Sequence, residues 1–185
     1  MRKLKMEELG RKSLTQFKVS EKNPVIILLD NVRSMHNVGS IFRTADAFLT
    51  EAIFLCGYTP QPPHRDIQKT ALGATESVDW MYFETLLEAV LNLKEAGYKV
   101  FAVEQADQSI SLSEFNLDVQ SKNAFIFGNE VDGVQADVLP FCDGCIEIPQ
   151  AGTKHSFNIS VAAGIVLWKI SEVFMYQLMT EKNKK

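Results

Sequence analysis

Cysteine is scarce. Cys56, Cys142 and Cys145 are too few, and odd in number, for a disulfide scaffold, and they suit a reducing compartment. Long apolar runs are missing too: the longest, Val161 to Trp168, is eight residues, far short of a membrane span. The N-terminus is charged but carries no apolar core of a secretory signal. These absences lead to the expectation of a cytoplasmic protein without a membrane partner. No Walker A sequence occurs, and no G-x-G-x-x-G follows a strand, which disfavours nucleotide-binding enzymes of those types. Cys142-Asp-Gly-Cys145 is a C-x-x-C pair, with His64 and His155 as conceivable further ligands. No second close pair completes the usual zinc spacing, so no metal is expected; the other reading is a turn at Asp143-Gly144 entering a buried strand. Internal repeats, low-complexity tracts and interdomain linkers are also lacking.

What is present is enough for one substantial core: 185 residues, 46% of them hydrophobic. The formal net charge of −4 opposes a nucleic-acid partner, but it is unevenly spread. Residues 1–22 hold seven basic against three acidic side chains, and the last five residues three Lys against one Glu. Both ends are therefore basic and able either to meet a phosphate backbone or simply to solubilise the chain. The organisation expected is a short basic arm at 1–23, one domain at 24–178 and a basic tail at 179–185.

Strands and helices alternate along that domain. Val25 to Leu29 is wholly apolar, as a central strand covered on both faces would be. A helix follows with Asn37 as its expected N-cap and Val38, Ile41, Phe42, Ala45, Phe48 and Leu49 on one face; Arg43 falls off the centre of that face. Gly39 lets another backbone or a ligand approach. Further strands are expected at 52–56, 80–83, 99–104, 123–128 and 145–148. A helix is expected at 85–96, ended by Gly97, and a helical turn at 135–139, with 109–115 a short connecting piece. The last helix starts near Ser156 to Asn158. The fold class is α/β with a mainly parallel sheet flanked by helices.

Ligands of such sheets bind beyond the carboxyl ends of the strands. Three segments begin at those ends. Asn31 to Phe48 contains Asn37 and Arg43. Phe125 to Val134 contains Gly128-Asn129-Glu130. Ile148 to Asn158 ends on Ser156-Phe157-Asn158. A strand, a small-residue loop and a helix N-terminus offer backbone N–H groups to a polar or anionic ligand. Taken singly, the same residues read as a surface arginine, capping Asn37, Ser156 and Asn158, and a Gly-Asn turn. Lys154 and His155 can contact phosphate or be solvated loop residues.

In this order, the three segments resemble the three motifs of SPOUT RNA methyltransferases, in the SpoU (TrmH-like) branch, over roughly residues 24–175. The resemblance implies a C-terminal deep trefoil knot, a homodimer and S-adenosylmethionine held by backbone groups at Gly128, Ile148 and Phe157. Many relatives carry Leu where this chain has Phe157. It implies methyl transfer to a ribose 2′-OH, with Arg43 supplied by the partner subunit. Arginine stays protonated, so Arg43 is better suited to binding phosphate and stabilising negative charge on the 2′-oxygen than to acting as a base. Asn37, Glu130, Ser156 and Asn158 match the remaining motif positions and shape the polar network. Lys69 to Glu76 also looks like family sequence and is expected to pack near the cofactor side. Only about 23 residues precede Pro24; small relatives of this kind often act on tRNA, so tRNA is favoured over rRNA as the RNA partner. The other readings are a non-catalytic RNA-binding or assembly factor on the same scaffold, and a SPOUT enzyme that methylates a base.

Overall fold

The structure, a computed structural model, describes residues 1–117 and 121–182. Its strands are β1 (Asn23–Asp30), β2 (Thr50–Cys56), β3 (Asp79–Phe83), β4 (Lys99–Val103), β5 (Ile110–Ser111), β6 (Asn123–Phe127) and β7 (Gly144–Glu147). They form one sheet in the order β3-β2-β1-β6-β4-β7-β5, and each neighbouring pair is parallel. A parallel sheet needs a cover on each face, and β1 shows how the chain provides it. Val25, Ile27 and Leu29 point into one core with α2 (Met35–Ala47), α3 (Arg65–Ala71) and α6 (Ile159–Lys182). Ile26 and Leu28 point into a second core with α5 (Leu86–Glu95). A fully buried side chain such as Phe125 or Leu28 contributes roughly 1.5–3 kcal/mol. The strand order reverses direction between β1 and β6, which opens a crevice at their carboxyl ends.

Several expectations shift. Ser34, also a capping type, caps α2, and Asn37 lies in the first turn with its N–H donated to Ser34 Oγ at 3.3 Å. Lys69 to Glu76 spans the end of α3 and part of α4 (Ala74–Ser77) and packs on α2, away from the cleft beyond the carboxyl ends of β4, β6 and β7. The reason is Gly39: a Cβ there would sit 2.3 Å from the Ile67 carbonyl oxygen, so the two helices meet backbone to backbone. The helical turn expected at 135–139 is instead a 3-10 turn at Leu139–Phe141, with a proline in its first turn. Within 109–115 lies the short strand β5. The arm folds as a 3-10 turn (Met6–Leu9) and α1 (Leu14–Val19), whose Phe17 enters the core.

At the other end, α6 runs on through Lys182, and residues 183–185 of the basic tail lie outside the described residues. By length and composition alone, α6 is long and apolar enough to cross a membrane, although Lys169, Ser171 and Glu172 break its apolar run. Ala163, Val166, Leu167 and Ile170 sit in the core, and Ser171 accepts a buried hydrogen bond from Asn23 Nδ2 at 2.8 Å. The helix thus covers the sheet.

Candidate active site

The loops that follow β1, β6 and β7 meet at the β1–β6 crevice. There, side chains from all three motif segments form one chain of hydrogen bonds. Asn158 Nδ2 donates to Asn37 Oδ1 at 3.2 Å, and Asn37 Nδ2 donates to Glu130 Oε1 at 2.7 Å. Asn158 Oδ1 in turn accepts from the Ser160 N–H at 2.9 Å and from Ser160 Oγ at 2.7 Å, so Asn158 caps α6. Each amide is locked in orientation by its neighbours, and the chain ends on a carboxylate.

Glu130 is held out by a tightly folded turn. Asn129 Oδ1 accepts from the N–H groups of Val131 (3.0 Å) and Asp132 (2.9 Å), and the Gly133 N–H returns to the Asn129 carbonyl at 3.1 Å. Gly128 has to be glycine because a Cβ there would lie 2.0 Å from the Gly133 carbonyl carbon. Two carboxylates that sequence reasoning passed over fix this turn to the sheet. Glu104, just beyond β4, accepts from the Val134 N–H at 3.0 Å and the Gln105 N–H at 2.9 Å. Asp30, the fully buried end of β1, accepts from the Gln135 backbone N–H (2.9 Å), Gln135 Nε2 (2.6 Å) and Asn31 Nδ2 (2.9 Å). Burial raises the Asp30 pKa, against the pull of those donors. The only signal for either in the sequence is an acidic residue closing an apolar strand.

Beside the network lies a cleft of about 840 Å³, within the usual range for small-molecule sites. Gly128, Glu130, Ile148, Ser156 and Phe157 all line it. Phe127, Ile148, Ile159 and Ala162 give it an apolar wall, and Glu104, Glu130, Asp132 and Glu147 place carboxylates around it. The last loop is fastened across it by Gln105 Nε2, which donates to the His155 carbonyl at 2.6 Å. Lys154 and His155 are exposed on the rim. Ser156 lines the cleft but does not join the hydrogen-bond chain.

Arg43 stands apart. It is exposed, makes no hydrogen bond or ion pair with the described residues, and lies about 120° round α2 from Asn37. The cysteine pair behaves as two half-buried thiols: Cys142 Sγ donates to the Val138 carbonyl and Cys145 Sγ to the Glu104 carbonyl, and partial burial pushes Cys142 up to about 11.

The sequence profile of the SpoU rRNA Methylase family matches residues 24–168. Over 144 residues the chain is 31% identical to the 23S rRNA (guanosine-2'-O-)-methyltransferase RlmB of Neisseria meningitidis, covering 78% of this chain. The chain spans 56% of that relative's length. Among solved structures, the AdoMet-bound rRNA methyltransferase from Sinorhizobium meliloti is similar with a TM-score of 0.76 at 26% identity, covering 82% of this chain and 57% of that one. The A. aeolicus TrmH/SpoU tRNA modifying enzyme shares the fold with a TM-score of 0.79 at 24% identity, covering 90% and 83%.

Proposed function

The chain belongs to the SpoU rRNA methylase family, and from that premise we propose that it is an S-adenosylmethionine-dependent RNA methyltransferase acting on a ribose 2′-OH. The observation that carries this reading is the hydrogen-bond chain Asn158–Asn37–Glu130 beside the cleft, which joins all three motif segments. S-adenosylmethionine fits the residues present: the apolar wall suits its adenine, the carboxylates suit its two cationic centres, and Gly128, Ile148 and Phe157 would hold it by backbone groups. Phe157 is 39% exposed, so its replacement of the more usual Leu changes the rim of the cleft and leaves the core alone. When bound, the donor would supply a methyl group on a cationic sulfur; the ribose 2′-oxygen would take it, releasing its proton to water and leaving the donor as a neutral thioether.

The protein's part is to orient and to stabilise. Asn37 and Glu130 hold the ribose in line through groups already fixed by Asn158. Arg43 binds the adjacent phosphate and offsets charge on the 2′-oxygen. Within one chain it does not reach the cluster, so the reading includes a homodimer in which a second copy brings its Arg43 to the site. The outward side of α6 supports that assembly: Val161, Trp168 and Met179 are exposed and fall within about 20° of one line along the helix.

A knotted C-terminal path is part of the same proposal, supported by the fastening of the 155–158 segment to Gln105 and, through Asn37, to Glu130. So are the division into a basic arm at 1–23, a catalytic unit at 24–178 and a basic tail, and a cytoplasmic place of action. For the substrate class we favour ribosomal RNA over the tRNA expected from the short N-terminal segment, because the 31% identical relative is named a 23S rRNA enzyme. Titration calorimetry with S-adenosylmethionine tests the reading directly. One donor site per chain is expected, and no binding at millimolar donor would sink the proposal.

A further inference from the structure

A second groove, of about 520 Å³, lies beyond the carboxyl ends of β1, β2 and β3, on the other half of the same sheet edge. Nothing in the proposed chemistry uses it. Its walls include Tyr58 and Tyr82, which are 68% and 42% exposed, far more than aromatic rings that serve a core. Arg33 stands over the Tyr58 ring, its guanidinium carbon 6.0 Å from the centroid.

The mount of Tyr58 is rigid. The Tyr58 N–H donates to Asn31 Oδ1 at 3.1 Å, and the Gly57 N–H donates to the Phe83 carbonyl at 3.1 Å. Buried Thr59 donates to the Leu29 carbonyl at 2.9 Å and accepts from the Val32 N–H at 3.0 Å. Two residues adopt left-handed backbone to make this turn, Asn31 at φ 53° and Gly57 at φ 63°. Asparagine and glycine are the residue types that take this conformation readily, and their hydrogen bonds fix the turn that presents the ring. The groove also shares a wall with the cleft: Val134 faces the cleft and Gln135, the next residue, faces the groove. With strands about 4.8 Å apart, the centres of the two halves are on the order of 14 Å apart, a distance a few nucleotides can span.

We propose that the Tyr58–Tyr82 groove is a stacking subsite for a single-stranded nucleotide flanking the methylated one, an inference that rests on the RNA methyltransferase reading. A base stacks on the tyrosine rings, Arg33 meets the neighbouring phosphate, and the exposed Glu84 carboxylate on the wall accepts from a base amino group. The groove thereby selects unpaired RNA beside the target.

The test is fluorescence anisotropy with a labelled single-stranded RNA dodecamer and the full chain saturated with S-adenosylmethionine, alongside calorimetry of the donor. Tyr58→Ala and Tyr82→Ala are each expected to weaken RNA binding about tenfold or more, while Tyr58→Phe and Tyr82→Phe, which keep the ring, stay within about twofold of wild type. Donor affinity is expected to be the same in all five proteins. Alanine variants that take up RNA as tightly as wild type, with donor binding intact, would overturn this inference and leave the methyltransferase reading standing. A wild-type protein that binds neither donor nor RNA would overturn both. Alanine variants that lose RNA together with a change of oligomeric state in sedimentation would assign the groove to a subunit contact instead.

Discussion

Arg43 carries a permanent positive charge and no partner among the described residues, on a helix whose Asn37 is fully engaged. Such a charge is available to a group that arrives. Replacing it with alanine is expected to lower kcat by about 10²–10³-fold while leaving donor affinity unchanged, because the interaction strengthens as the 2′-oxygen gains charge; steady-state kinetics with calorimetry checks both halves. Asp30 sits at the other extreme, fully buried with three donors aimed at it. Asp30→Asn turns an acceptor into a donor against them and is expected to cost about 1–3 kcal/mol in urea unfolding. The pH dependence has a definite sign. Burial raises the folded pKa of Asp30 above its unfolded value, so its contribution favours folding below the unfolded pKa and is lost as pH rises through the folded one, a slope that Asp30→Asn removes. Asn37 and Asn158 were legible in the sequence as capping types and Glu130 as part of a turn, and only the family resemblance grouped them. Asp30 and Glu104 were not, because their partners are backbone groups of a turn whose path only the fold reveals.

Elements meet here through small residues as much as through large ones. The α2–α3 contact depends on Gly39, whose missing Cβ leaves room for Thr70 Oγ1 and the Ile67 carbonyl, both less than 2.5 Å from where it would stand. Gly39→Ala is expected to destabilise the protein by about 2 kcal/mol, since the obstacle includes rigid helical backbone, and thermal unfolding checks it. The sequence showed that something approached Gly39 closely, but not that it was α3 rather than a ligand. The starts of α2, α5 and α6 were legible to within a turn, whereas α3 and α4 were not foretold. Ser34 and Asn37 are both capping types three residues apart, and local pattern alone does not choose between them. In α5 the choice was unambiguous: Thr85 caps it and Gly97, at φ 83°, ends it.

At the scale of the whole molecule, the apolar run of β1 foretold a parallel sheet covered on both faces, and motif segments after β1, β6 and β7 foretold that their loops would meet beside a cleft. The outward face of α6 was not foretold, because its exposed and buried apolar residues alternate along one hydrophobic helix and separate only once the sheet is placed. If Arg43 is supplied across a dimer of that face, inactive Arg43→Ala and Asn37→Ala chains, refolded together, should regain about a quarter of wild-type activity. Half of randomly mixed dimers then carry one intact site of two. Separate chains, each site complete in itself, would regain none. The most direct measurement is transfer of a labelled methyl group from S-adenosylmethionine to ribosomal RNA lacking the modification, followed by nuclease mapping. The account predicts label at one nucleotide whose 3′ linkage resists cleavage, as a 2′-O-methyl group requires. Label released on a base at a cleavable linkage, or no label in any RNA despite bound donor, would contradict it.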